Sequence, residues 1–284
     1  MTQYSDKLYK AVNKSTIEIS SIDQLDSDWL NNTLEKYTFC IIKGLIDPDV
    51  IRSAKEKIKE YHSPDNERPA TGEHPDELMN NFQKLSIGGA EHSGVYRPRC
   101  MRTFYNPVWA EDIFGLRESF KITAQVRNIL YGFDKDYAVD EVGNEFWTAS
   151  RIHNYPSGGG FLVSHKDNIV PTVQKKSKLS NQYFQPVILM SKKGTDQDCD
   201  FKTGGGFFEV FGERFFYEEV CELGDIIIYS GETIHGVADI DLEKPFDSRK
   251  ADGRFAGFVT LYKKFKKKKE LNDFVEPPKN KVVI

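Results

Sequence analysis

The stretch "RIHNYPSGGGFLVSHKDN" (151–168) decides how this chain is read. It opens on alternating side chains, passes through a glycine triplet and ends on His165-Lys166-Asp167. Residues i and i+2 of an extended segment point to the same side. A His-x-Asp at a strand end therefore presents an imidazole and a carboxylate together. Such a pair also occurs by chance in many proteins, as two ordinary loop residues, so its meaning depends on what the rest of the chain brings to it.

Downstream, the period is two. Strands are expected over 145–155, 160–165, 183–191, 206–211, 215–221, 225–230 and 254–263, separated by Gly, Asn, Asp and Lys clusters. A divalent iron that must also bind a chelating co-substrate and oxygen needs only three protein ligands on one face, and two imidazoles with one carboxylate leave three positions open. The third ligand must then come from a distant strand. His235, in "GDIIIYSGETIHGV" (224–237), follows a strongly apolar strand and a glycine-containing turn. Of the other histidines, His62, His74 and His92 lie in or beside an irregular stretch, and His153 precedes the pair on its own strand.

Residues 254–262, "RFAGFVTLY", form a further alternating strand opened by Arg254. A co-substrate such as 2-oxoglutarate carries a far carboxylate that needs a cation, and the planar fork of arginine grips a carboxylate at two points. An arginine at a strand start is otherwise a surface residue. Tyr155 either offers its hydroxyl to the same co-substrate or packs.

Upstream, the spacing predicts a short amphipathic helix over 22–36, an apolar β-rich run over 37–46, and a helix over 48–61 with Val50, Ile51, Ala54 and Ile58 on one face. Helical spacing returns over 107–131. Between them, 62–100 holds no period and is rich in Pro, Gly, His, Asn and Glu, the mark of a functional loop. Within it and just beyond, 82–105 has the composition of a lid, with Arg97, Arg99 and Arg102 as candidate substrate contacts. Helices first and short strands after predict an α+β chain of one domain: 1–140 as helical support and lid loop, 145–263 as the β core, 264–284 as a basic tail.

Four pieces in order, "NYPSGGGFLVSHKDN", "GGGFFEVFGE", "ELGDIIIYSGETIHGV" and "GRFAGFVTLY", resemble the non-haem iron, 2-oxoglutarate-dependent dioxygenases. The likeness is closest to the branch containing the prolyl hydroxylases and covers about residues 150–262. It implies a double-stranded β-helix, a jelly-roll-like barrel with the N-terminal helices packed on its larger sheet. It implies Fe(II) held by His165, Asp167 and His235, 2-oxoglutarate paired with Arg254 and hydrogen-bonded by Tyr155, and O2 as oxidant. One departure is a loop, "VADIDLEKPFDSRKAD" (237–252), which lengthens the step from His235 to Arg254 and brings in Arg249 as an alternative carboxylate partner. The resemblance further implies oxidative decarboxylation of 2-oxoglutarate to succinate and CO2, coupled to attack on an unactivated C–H bond. Related halogenases put a small residue where the carboxylate stands, so Asp167 points to hydroxylation, cyclisation or desaturation instead.

The strand "WTASRIHNY" (147–155) sets Trp147, Arg151, His153 and Tyr155 on one face. If Tyr155 points inward, Arg151 and His153 do too, and a polar, carboxylated or amino-acid-derived small molecule is the expected substrate. The expected role is a cytoplasmic small-molecule oxygenase of specialised metabolism. Two other readings stand beside it: a peptidyl side-chain hydroxylase, which needs an open groove, and a cupin-like metal-binding module without turnover.

Composition narrows the classes. With 39% hydrophobic and 29% charged residues the 284-residue chain is expected to be soluble and globular. Its formal net charge of −4 gives no global attraction to nucleic acid or an anionic membrane, and "KKFKKKKE" (263–270) is a short run without stacking aromatics. No signal-peptide h-region or 18-residue apolar window occurs, and four scattered cysteines favour reduced thiols.

Overall fold

The computed structural model describes residues 3–63, 67–68, 82–87, 99–139, 146–167 and 184–263. The C-terminal tail and Arg97 lie outside them. Four α-helices are described: α1 (Asp6–Lys14), α2 (Ser27–Tyr37), α3 (Pro48–Tyr61) and α4 (Arg117–Leu130). The strands are β1 (Thr16–Glu18), β2 (Phe39–Lys43), β3 (Glu67–Arg68), β4 (Phe82–Ile87), β5 (Cys100–Tyr105), β6 (Phe146–Tyr155), β7 (Leu162–His165), β8 (Phe184–Leu189), β9 (Gly205–Val210), β10 (Glu213–Phe216), β11 (Ile226–Ser230), β12 (His235–Ala238) and β13 (Arg254–Lys263).

They form a nine-stranded sheet in the order β1-β2-β11-β8-β13-β6-β5-β4-β3 and a four-stranded sheet in the order β10-β9-β12-β7. The α+β class expected from the sequence is what the chain adopts. From β6 onward the chain passes back and forth between the sheets, and antiparallel pairing joins β11, β8, β13 and β6 in one and β10, β9, β12 and β7 in the other.

Alternation sorts the side chains of the large sheet onto two faces. Cys40, Ile42, Ile152, Ile188, Ile226, Ile228, Phe255 and Val259 pack with Leu30 and Leu34 of α2, Ile51 and Ile58 of α3 and Phe120 of α4. The opposite face sends Ile41, Val187, Leu189, Ile227, Tyr229 and Ala256 against Phe208, Val210 and Phe215 of the small sheet, with Leu8 and Ala11 of α1 in the same cluster. α2, α3 and α4 buttress one face, and the two sheets, with α1 beside them, enclose an interior on the other.

Helix starts follow local chemistry. The Asp47 carboxylate caps α3 by accepting the Asp49 N–H, with Pro48 in the first turn, where its missing N–H costs nothing. The helical spacing over 107–131 becomes helix only at Arg117. Gly115 sits at φ +75°, and Asp112 accepts the N–H groups of Leu116 and Arg117 there.

Of the expected irregular stretch at 62–100 and the lid at 82–105, residues 82–87 and 100–105 need correction, while 64–66, 69–81 and 88–98 lie outside the described residues. β4 and β5 pair antiparallel from Phe82↔Tyr105 to Ile87↔Cys100, and β5 pairs with β6, so these segments extend the large sheet. The period of two is hidden because buried positions are polar: Gln83, Arg102 and Thr103 are all enclosed. The expected strand over 215–221 is also shorter: β10 ends at Phe216, and Tyr217–Glu219 form one turn of 3₁₀ helix. Among the described residues no helix is long and apolar enough to cross a membrane.

Candidate metal centre

β7 and β12 pair antiparallel with His165 directly opposite His235, so strand register brings together residues seventy positions apart. The register shifts between His235 and Val237. Asp167 is placed by its own backbone, whose N–H donates to the carbonyl of Gly231 at 2.9 Å, in the turn after β11. The three side chains converge: His165 Nε2 stands 3.6 Å from Asp167 Oδ1 and His235 Nε2 stands 3.5 Å from Asp167 Oδ2. One ligand atom from each lies within 4.8 Å of the others. The side chains are 6%, 7% and 18% exposed for His165, His235 and Asp167, so the carboxylate edge is the side open to a ligand.

The second nitrogens show what the cluster is for. His165 Nδ1 lies 2.8 Å from the carbonyl of Val163, and His235 Nδ1 lies 2.9 Å from the carbonyl of Thr233. A carbonyl only accepts, so each Nδ1 carries a proton, and each ring turns its Nε2 toward Asp167. Separations of 3.5–3.6 Å are too long for sound hydrogen bonds. Burial pushes the Asp167 carboxyl up, but the two facing imidazoles outweigh it and hold it well below the usual carboxylate range. Two Nε2 atoms and one carboxylate turned to one spot could hold a shared cation. Imidazoles oriented by N–H donation to a backbone carbonyl are the usual arrangement around a bound metal. The donor set fits a ferrous ion, with two nitrogens and one carboxylate on one face.

The small sheet's interior face continues from the metal strands to Tyr155, which clusters with Val237, Leu162, Phe201 and Ile240. Arg254, opposite Tyr155 in register, is fully enclosed at 1% exposure, with its guanidinium over the Tyr155 ring at 5.4 Å. It is not an open fork. Its Nε donates to Glu218 Oε1 and its Nη2 donates to the Tyr217 hydroxyl at 2.7 Å. Burial opposes its charge, yet the Glu218 carboxylate beside it raises its pKa further. Nη1 of Arg254 and Oε2 of Glu218 are both buried without a hydrogen-bond partner among the described residues.

Arg151 and His153 share the inward face with Tyr155, as alternation requires. Arg151 Nε donates to His153 Nε2 at 3.1 Å and its Nη1 to Thr260 Oγ1 at 3.2 Å, and the His153 ring lies against Phe258 with centroids 4.3 Å apart. Other sequence candidates are not brought to the site. Arg102 lies on the helix-facing side of the sheet with Asn154, donating to the carbonyls of Ser248 and Lys250. The Arg99 side chain is 47% exposed and paired with Asp239. The Arg249 side chain is 81% exposed and pairs with Asp247.

Sequence reasoning missed Glu218 and Tyr217. In a continued strand, adjacent residues would face opposite sides. The 3₁₀ turn lets both reach Arg254, and nothing in "FFYEEV" (215–220) marks where the strand stops.

No family model matches the sequence, and no curated protein matches it. Among solved structures, a prolyl-4-hydroxylase from Pseudomonas putida is similar over 84% of this chain and 100% of its own, with a TM-score of 0.46 and 12% identity.

Proposed function

We propose that the chain is an Fe(II)- and 2-oxoglutarate-dependent oxygenase acting on an unactivated C–H bond of a small polar molecule. The observation that carries this reading is the convergence of two Nε2 atoms and a carboxylate on one point, with both Nδ1 atoms held by backbone carbonyls. In this reading the alternation of β6 to β13 between two sheets is a double-stranded β-helix, and residues 1–284 form one functional unit.

His165, Asp167 and His235 would hold the iron, which when bound supplies oxygen activation coupled to decarboxylation of the 2-oxo acid. The chain's own contribution is placement and exclusion of water. Arg254 Nη1, buried and unpartnered, supports an acceptor oxygen binding beside Tyr155 and Tyr217. The inward arginine alone does not separate an oxygenase from a metal-binding module, because Glu218 gives it an internal partner. Its unused Nη1 donor favours the oxygenase reading. Arg151 and His153, polar groups on the inward face beside Tyr155, support a carboxylated, amino-acid-derived substrate, processed by hydroxylation or cyclisation in a cytoplasmic, specialised pathway.

Anaerobic Fe(II) titration with and without 2-oxoglutarate tests the reading. A weak visible charge-transfer band that needs both components is expected. Metal binding with no such band leaves only a generic metal site.

A further inference from the structure

Arg254 and Glu218 form an enclosed ion pair outside the metal cluster, each side chain 1% exposed. Their surroundings are built to hold them. Glu218 Oε1 accepts from Arg254 Nε and from the Gly206 N–H at 3.2 Å. β9 carries no side chain at Gly206: a Cβ there would stand 2.1 Å from the Tyr217 hydroxyl and 2.5 Å from Arg254 Nη2. Val237, opposite Gly206 in register, is two residues from His235, so this cradle adjoins the metal cluster along the same strands.

The seat already contains one positive and one negative charge. A remote carboxylate entering it meets a guanidinium whose Nε edge is taken, and a like charge alongside. Among the described residues, Arg254 Nη1 is left without an acceptor. Like charges in an enclosed site repel strongly because little water screens them.

We infer that Glu218 is a specificity-determining residue: by neutralising Arg254 from within, it weakens the site's grip on 2-oxo acids that bear a remote carboxylate. This rests on the oxygenase reading above. Replacing Glu218 with a neutral isostere leaves the guanidinium without its counter-ion, which a ligand carboxylate then supplies. Loss of repulsion and gain of an unpaired cation both act in the same direction.

The test is calorimetric titration of anaerobic manganese(II)-loaded protein with 2-oxoglutarate and, separately, with pyruvate, which lacks the remote carboxylate. Glu218→Gln is expected to tighten 2-oxoglutarate by about tenfold or more while moving pyruvate by less than about twofold. Its thermal midpoint should fall without ligand and recover more than that of the wild type when 2-oxoglutarate is added. Unchanged or weaker 2-oxoglutarate binding, or equal tightening of pyruvate, overturns the inference. If Glu218→Gln does not fold, Glu218→Asp, which withdraws the carboxylate from Nε, should still tighten 2-oxoglutarate by about threefold, and no tightening overturns the inference. Wild-type and variant proteins that both bind neither acid refute the oxygenase reading and this inference with it. Wild-type protein that binds both acids, with a variant that does not differ, refutes the inference alone.

Discussion

Arg254→Met, measured without ligand, exposes the energetics of the enclosed ion pair most clearly. It leaves Glu218 buried with the Gly206 N–H as its one remaining described hydrogen-bond donor. Breaking a buried pair by removing one partner costs about 3–5 kcal/mol, because the other charge stays desolvated. Glu218→Gln should cost less, about 1–3 kcal/mol, since an amide oxygen still accepts from Arg254 and Tyr217 still receives Nη2. The double variant Arg254→Met/Glu218→Gln removes both charges, and its cost should fall short of the sum of the singles by about 2 kcal/mol or more. Urea unfolding of all four proteins, followed by tryptophan fluorescence, measures this coupling. Additive singles, within about 0.5 kcal/mol, would refute the claim that the two charges depend on each other.

Asp167→Ala should cut divalent metal affinity by about a hundredfold or more, since it removes one of three donors; equilibrium dialysis checks this, and unchanged affinity places the ion elsewhere. Gly206→Ala should abolish 2-oxoglutarate binding through the cradle while leaving metal affinity intact, because the added methyl meets Tyr217 and Arg254 but not the ligand histidines; retained 2-oxoglutarate binding contradicts it. Asp241→Ala should destabilise by about 3 kcal/mol in urea, because the buried carboxylate accepts the N–H groups of Lys202 and Thr203, the Ser157 hydroxyl and the Lys244 ammonium. Burial pushes the Asp241 carboxyl up, but Lys244 and the two backbone donors outweigh it and hold it below the ordinary range. Its stabilisation is therefore complete above about pH 4 and is lost as pH falls through the depressed folded value, so the gap between wild type and Asp241→Asn should narrow in acid. A gap that widens there would reverse the assignment.

The convergence of His165, Asp167 and His235 was legible because each step rests on a strong local rule. A period-two run ending in His165-Lys166-Asp167 sets two donors on one side, and the apolar "DIIIYS" strand followed by a turn delivers His235 to the neighbouring strand. The same rule put Arg151, His153 and Tyr155 on one face. α3 matched its expected span of 48–61 because capping, proline and amphipathic spacing agree there.

The rest was hidden where burial and polarity part company. β4 and β5 bury Gln83, Arg102 and Thr103, the first two hydrogen-bonded inside, so no hydrophobic alternation remains to be read. Arg102 in particular has a cationic composition suited to a lid, yet it is spent on the carbonyls of Ser248 and Lys250. The glycines of 158–160 read as a strand break. Their reason is close packing: a Cβ at Gly158, which sits at φ +78°, would meet the Lys244 carbonyl at 2.3 Å, so the 237–252 loop lies directly on that turn. Glu218 escaped notice because a single 3₁₀ turn reorients it, and one turn leaves no periodic trace.

The central claim is that two distant histidines and one aspartate share a single ferrous ion. Anomalous diffraction at the iron edge, from crystals grown anaerobically with Fe(II), tests it most directly. The account predicts one strong peak among His165 Nε2, His235 Nε2 and the Asp167 carboxylate. A peak at the exposed Asp196, Asp198 and Cys199 group, or none at the triad with iron bound in solution, would contradict it.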